Sequence, residues 1–570
     1  MILKMRKIRW QLLIAVGGIL LIILLLIGQT PDLEVSSAQP ARGGVFIEAS
    51  IGELIRLNPI LDTFNQTDRD IDRLLFRGLV AFDARGNVIP DLAESWAVSA
   101  DATVYTFTIR EDAVWHDGTP VTADDVIYTF SKLQDEDYPG PADLHDMWSQ
   151  INIIRLDDRI LQFQLPEPFA PFLDYLSLGL LPDHILRGVS ASDLIDHPFN
   201  LEPIGTGPFQ FDRYLTDEEG NIEGISLLAN EDYYNDPPYL ERFEIQFFAS
   251  AQEALEAFEA GQVNGIAGFG EDILAQVLDD PNLSLFTSRL PEVTLVFLNI
   301  QNQENTVIAE KSFRQALMMA TNREWLINQI LDGQGIIPHG PIFPGTWAHA
   351  SELPTISFDQ AAAMELLDDL GYELPAGATP GTEEYVRSRD GELLEIELTY
   401  PDSEPYSLLA TLLQQSWQAI GIRVSLRAVP AESLMSDVLT PRAFEAVLTE
   451  IDLSRYPDPD PYPFWHDSQT ETGQNYSGFD DRNSSIWLEQ ARITPDVLRR
   501  AELYRSFQYR FQDQVPALLL YYPVYSYAVD ARLNGITIGP LLDPSDRLSS
   551  VTDWYLIARR TADVEPSPTP

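Results

Sequence analysis

Three consecutive stretches decide the fold: Leu394-Glu395-Ile396-Glu397-Leu398-Thr399-Tyr400, then the run from Tyr406 to Ile420, then Ile422-Arg423-Val424-Ser425-Leu426-Arg427. In the first and third, apolar and polar residues alternate with period two, as in a strand buried on one face. In the middle run Leu409, Leu412, Leu413 and Ile420 fall on one helical face, and Gly421 ends it. Strand, helix and strand with short links predict a βαβ unit, hence parallel neighbours and a right-handed crossover.

A second unit lies upstream. Phe243, Ile245 and Phe247 predict a strand; Ser250 and Glu253 form an S-x-x-E capping box; Leu255 and Phe258 face inward before Gly261, and residues 263–266 resume extended chain. Similar punctuation opens helices at Thr321/Glu324 and Ser357/Gln360, the latter carrying Ala363, Leu366, Leu367 and Leu370 to Gly371. Two such units with helices between them predict two α/β lobes, and 570 residues are too many for one core.

Composition excludes several classes of function. Asp+Glu number 87 against Lys+Arg 37, a formal net charge of -50. Such a surface repels nucleic acid and anionic lipid. There is no cysteine, so disulfides, thiolate catalysis, cysteine metal sites and a lipid-bearing cysteine anchor are excluded. At the N-terminus Lys4, Arg6, Lys7 and Arg9 precede a nearly pure apolar run over residues 10–27. That layout exports the remainder of the chain. Ser36 and Ala38 suit cleavage before Gln39, whereas the apolar length approaches the ~20 residues that anchor a helix, and both readings stay open. Residues 28–42 read as a linker and 561–570 as a proline-rich disordered tail.

Catalytic motifs are missing. G-x-S-x-G, G-x-x-x-x-G-K-[ST] and H-E-x-x-H do not occur, and no two histidines sit at i, i+3 or i, i+4. Gly205 and Gly207 read as turn glycines. Asp458 and Asp460 are interleaved with Pro457, Pro459 and Pro461, which predicts a stiff extended loop instead of a calcium loop. No enzyme, cofactor or metal is expected.

Several segments together resemble the family 5 extracellular solute-binding proteins of ABC importers, which include dipeptide-, oligopeptide- and nickel-binding proteins. They are Pro90-Asp91-Leu92-Ala93-Glu94-Ser95-Trp96, Trp115-His116-Asp117-Gly118-Thr119-Pro120 with Thr122-Ala123-Asp124-Asp125-Val126, and Gly205-Thr206-Gly207-Pro208-Phe209. Asn230-Glu231-Asp232-Tyr233-Tyr234, Phe313-Arg314-Gln315-Ala316-Leu317, Asn322-Arg323-Glu324 and residues 456–461 continue the resemblance in family order. The Trp115 run looks like scaffold, with Asp117-Gly118 as a tight turn and Thr122 capping a helix.

The resemblance implies a two-lobed periplasmic-binding-protein-like α/β fold with a hinge. The first lobe is expected over residues 43–297 with an extra subdomain at about 83–203, the second lobe over 298–510, and a return to the first over 511–560. It implies a monomer outside the cytoplasm, touching the membrane only through its N-terminal segment. Its partners would be a small solute, peptide or oligosaccharide, held between the lobes, and the permease subunits of the importer. Candidate ligand contacts are Ser50, Ile51 and Asn58 from the first lobe and Glu450, Asp452, Arg455 and Tyr456 from the second. Arg455 stands where peptide-binding members carry an aspartate for the peptide ammonium. A guanidinium suits a carboxylate or a hydroxyl-rich group, so an oligosaccharide or other non-peptide solute stands beside the oligopeptide default. The readings of another class are an exported hydrolase and a membrane-tethered sensor or chaperone-like binder.

Overall fold

The computed structural model describes residues 38–83, 85–453 and 458–560. The basic and apolar N-terminal segment, Arg455, Tyr456 and the tail at 561–570 lie outside the described residues. Among those described, no helix is long and apolar enough to cross a membrane. The chain forms two compact units. In the small one, strand Ala38–Ala41 pairs antiparallel with Ile557–Arg560.

The large unit, residues 43–556, is built on one mixed sheet. Both expected strand–helix–strand units are present. Strands Glu395–Pro401 and Arg423–Val429 run parallel with Ile396 opposite Val424, joined by helix Tyr406–Gln418. Leu409, Leu412 and Leu413 are buried, and Gly421 adopts a positive φ of 87°. Upstream, Ser250 caps helix Ala251–Glu259 by accepting from the Glu253 amide at 3.3 Å. Strand Val45–Ile51 lies between Arg242–Phe248 and Gly265–Ala267, parallel to both.

The two halves of the sheet share one long strand, Ala517–Asp530. Its first residues pair with Glu292–Leu298 of the second half, and its last with Leu283–Arg289 of the first. The chain thus passes between halves at Leu290–Pro291 and again at Tyr522–Pro523, where the expected boundaries were 297/298 and 510/511. The sequence conceals the second crossing because apolar strand residues continue on either side of Pro523. Proline gives no amide to the ladder; at these points Leu290 donates to the Pro523 carbonyl and Leu453 to that of Pro291, each at 2.8 Å.

Within the first half, a four-stranded antiparallel sheet (Ala93–Val98, Val104–Ile109, Ile160–Gln164, Asn152–Arg155) packs with helix Ala123–Leu133. The Trp115 run is indeed scaffold. The Trp115 amide donates to the Thr119 carbonyl at 2.8 Å, closing the turn, and Thr122 and Asp125 form a capping box. Trp115 is only 1% exposed. His116 is pinned between two glycines: its Nδ1 accepts from the Gly205 amide and its Nε2 bonds the Gly207 carbonyl, each at 3.1 Å. Burial therefore holds its pKa down, to about 4, with the Gly207 carbonyl and Asp117 opposing.

Gly205 and Gly207 serve close approach and not a turn. A Cβ on Gly205 would stand 1.8 Å from the Leu75 carbonyl oxygen, and one on Gly207 would stand 2.2 Å from that of Leu74. Gly205→Ala must shift the end of helix Gln66–Leu75 and is expected to cost about 2 kcal/mol or more, read as a lower urea midpoint for the full chain.

Candidate functional site

The C-terminal half of helix Gln66–Leu75, a short helical turn at Ala170–Ser177 and the returning segment at 542–546 converge in the first half. They enclose a cavity of about 260 Å³, completed by Pro59, Asp62, Leu144 and Trp148. Helix Gln66–Leu75 begins at Asn65, whose side chain accepts from the Thr67 and Asp68 amides, and this fixes which face looks inward. Asp68 and Asp72, one turn apart, are both buried. Asp68 is satisfied by the amides of Ile55 and Arg56, at 2.8 and 3.0 Å. Asp72 lines the cavity, and neither of its oxygens has a hydrogen-bond partner among the described residues.

A second, smaller cavity of about 40 Å³ belongs mainly to the other half. Pro291, Val293, Ile451, Leu453, Asp458 and Phe464 line it, and Leu542 of the returning segment lines both cavities. Between them the halves touch. Arg500 donates to Asp458 at 2.7 Å, with both groups buried. The Asp174 carboxyl, on the first half's helical turn, faces Asp458. Burial pushes Asp174 well up, Asp458 adds to the rise and Arg500 opposes it. Asp458 is raised by burial against the pull of Arg500. Burial works against the charge of Arg500, yet Asp458 and Asp174 hold it firmly protonated. Beside this cluster Arg492 donates to Asp460 at 2.6 Å and stacks on Tyr462, with Phe169 of the first half 5.6 Å away. The Trp347 amide donates to the Arg85 carbonyl at 3.2 Å, a further contact between halves. Such an arrangement can enclose a small solute and exclude water. Among the described residues, no hydrogen bond joins a serine or threonine hydroxyl of either cavity wall to a carboxylate of that wall.

None of the described residues singled out in the sequence as ligand contacts lines either cavity. Ser50 and Ile51 end strand Val45–Ile51, with the Ser50 hydroxyl 3.2 Å from that of Thr67. Asn58 is fully buried and bonds Asn200 and the Ile60 amide, while its neighbour Pro59 lines the large cavity. Glu450 is exposed and accepts from the Tyr406 hydroxyl, and Asp452 lies opposite Glu292 across the strand pair. Glu292 is pushed up to about 7, first by burial and then by Glu450 and Asp452. Strand Ala446–Asp452 alternates faces, so Ile451 and, just beyond it, Leu453 reach the small cavity while Glu450 and Asp452 point the other way. Arg455 and Tyr456 lie outside the described residues; Leu453 and Asp458, which bracket them, line the small cavity. Asp62, Asp72 and Asp174 were not expected. The i, i+4 spacing of Asp68 and Asp72 was their one available signal, and in so acidic a chain it reads as a solvated helix face.

Comparison with known proteins gives a consistent set. The family described as bacterial extracellular solute-binding proteins, family 5 Middle, matches residues 87–474. The chain is 27% identical over 530 residues to the oligopeptide-binding protein AppA of Bacillus subtilis, covering 91% of this chain and 93% of that one. It is 24% identical over 527 residues to the dipeptide-binding protein of Escherichia coli, covering 88% and 94%. Bacillus subtilis AppA, solved in complex with a nonapeptide, superimposes with a TM-score of 0.65 at 25% identity over 91% of this chain and 100% of that one. HbpA2 of Haemophilus parasuis shares the fold with a TM-score of 0.76 at 22% identity, covering 87% and 97%.

Proposed function

This chain belongs to the bacterial extracellular solute-binding proteins of family 5, and from that premise we propose that it captures a peptide-like solute between its two lobes and delivers it, unchanged, to the permease of an ABC importer. One observation carries the reading: two adjoining cavities, one walled mainly by each half, share Leu542 and are separated by the Asp174–Asp458–Arg500 contact. Opening at the Pro291 and Pro523 crossings would part that contact and release the solute. Closure removes solute and carboxylates from water together, so retention depends on both halves. The likeness to oligopeptide- and dipeptide-binding proteins favours a peptide over a sugar. Arg455 at the aspartate position predicts that the solute's ammonium is recognised elsewhere, or that its carboxylate is recognised there.

Native mass spectrometry of the full chain, purified without denaturation and then incubated with a tripeptide mixture, tests the reading. The expected result is a one-to-one adduct whose released solute has its original mass. Cleaved products would move the protein to the hydrolases, and absence of any adduct from peptide or cell extract would reject solute capture.

A further inference from the structure

Residues 341–347 belong to the second half by their side chains and touch the first half by their backbone. Ile342 and Phe343 are buried in the second half's core, and the Tyr522 hydroxyl holds the start of the segment by donating to the Gly340 carbonyl at 2.9 Å. Further along, the Trp347 amide reaches the Arg85 carbonyl. Between these points Gly345, at a φ of 87°, lies against Pro540 of the returning chain, where a Cβ would stand 2.9 Å from the proline ring.

Arg289 fastens this contact. It ends strand Leu283–Arg289, just before the Pro291 crossing, and is 4% exposed. Its Nε donates to the Pro344 carbonyl of the second half and its Nη1 to the Leu541 carbonyl of the first, each at 3.1 Å. Neither carbonyl lies in a strand or helix. The guanidinium stands 4.2 Å from the centre of the Phe343 ring, which packs edge-on against Tyr522, beside the second crossing, at 4.9 Å. Burial lowers the Arg289 pKa to about 10, with Tyr522 opposing and no carboxylate contributing. Burying a cation without a counter-charge is costly; what the position gains is a rigid fork that joins two distant stretches of chain. Both stretches build the small cavity: Phe343 lines it, and so does Leu542, the neighbour of Leu541.

We propose that Arg289 is a positioning residue for solute capture, pinning residues 341–347 of the second half to the returning chain of the first so that Phe343 and Leu542 are set together beside the crossings. The pin rests on these contacts alone, and its effect on affinity rests on the solute-capture reading above.

Arg289→Met tests it, since the stem over Phe343 is kept while both carbonyls lose their donor. Arg314→Met is the matched control. Arg314 is 3% exposed, bonds the carbonyls of Ile308, Ala309, Gln514 and Val515, is likewise lowered by burial to about 10, and lines neither cavity. Hydrogen exchange of the full chain without solute is expected to quicken about tenfold or more at 341–347 and 539–542 together in Arg289→Met. In Arg314→Met it should stay as in the wild type at both places, even where the melting temperature falls as far. Calorimetric titration with trialanine, at a temperature where every variant is folded, should show about tenfold weaker binding in Arg289→Met and wild-type binding in Arg314→Met. Gly345→Ala presses the same two stretches apart at Pro540 and should act as Arg289→Met does, which gives a second reading if that variant does not fold. Quickened exchange in one stretch alone, or equally in Arg314→Met, would overturn the pin. Quickened exchange in both with unchanged trialanine affinity would overturn the positioning role. If the wild type binds no trialanine, the peptide reading fails on its own account; joint loosening of the two stretches then still supports the pin, and its absence overturns it.

Discussion

Arg547→Ala is expected to destabilise the full chain by about 3–5 kcal/mol, the cost of stranding buried charges. Arg547 is 0% exposed and joins the returning segment to the first half's sheet and helix. Its Nη1 donates to Asp70 at 2.7 Å, and its Nη2 donates to Asp70 at 2.9 Å and to Glu48. Glu48 is fully buried and also accepts from the Tyr527 hydroxyl at 2.6 Å. Burial opposes the charge on Arg547, but Asp70 and Glu48 overcome it; burial raises Glu48 even with Arg547 beside it. Truncating the arginine leaves two carboxylates in the interior, Glu48 with the Tyr527 hydroxyl and Asp70 with the Gln66 side-chain amide at 2.7 Å as remaining donors. The loss, measured by urea unfolding at neutral pH, should shrink as pH falls, because protonation then neutralises Glu48, which burial holds up. Adding Glu48→Gln and Asp70→Asn to Arg547→Met should recover most of the stability, since replacing a whole buried ionic cluster is far cheaper than breaking it. A cost under about 1 kcal/mol for Arg547→Ala alone would mean that this segment is hydrated and does not anchor the lobe.

The second large effect falls on closure. Arg500→Met removes the only cation bonded to Asp458 among the described residues and leaves Asp174 and Asp458 facing each other. In the closed form this is expected to cost roughly 3 kcal/mol, so that solute affinity falls about a hundredfold. The dependence on pH has a definite sign. Asp174 has a raised pKa when the halves meet and an ordinary one near 3.9 once opening returns it to water. Its contribution to closure is therefore fully present below the open-form pKa and is lost as pH rises through the raised, closed-form value. With a tripeptide whose side chains carry no charge, measured below pH 7 so that its terminal ammonium stays protonated, affinity should weaken as pH rises in the wild type and depend less on pH in Asp174→Asn, whose amide can donate to Asp458 at any pH. Equal pH profiles for the two proteins would remove Asp174 from the closing contact.

Much of the scaffold was legible because its signals are local. The alternation from Leu394 to Tyr400, the helical face through Leu409 and Leu413, and Gly421 at positive φ each follow from backbone geometry within a few residues. The Trp115–Pro120 turn and the Thr122 cap are equally local. The crossings at Pro291 and Pro523 were not legible, since each is set by which strand lies alongside, and that is a property of the assembled sheet. The site was harder for a related reason. Polar residues Glu450 and Asp452 attract notice as ligand contacts, yet the strand's period of two turns the intervening Ile451 and Leu453 towards the cavity. Asp72 looks in sequence like one more acid on a solvated helix. Only the assembled fold, with residues 544–548 packed on its helix, makes it a buried acid.

Hydrogen exchange followed by mass spectrometry, with and without saturating solute, tests most directly whether the solute is held by both lobes. Slowed exchange is predicted at residues 170–179 and 542–546 of the first half and at 451–453 and 458–465 of the second, at the same solute concentration. Protection confined to one half, or spread elsewhere with both cavities unprotected, would contradict capture between the lobes.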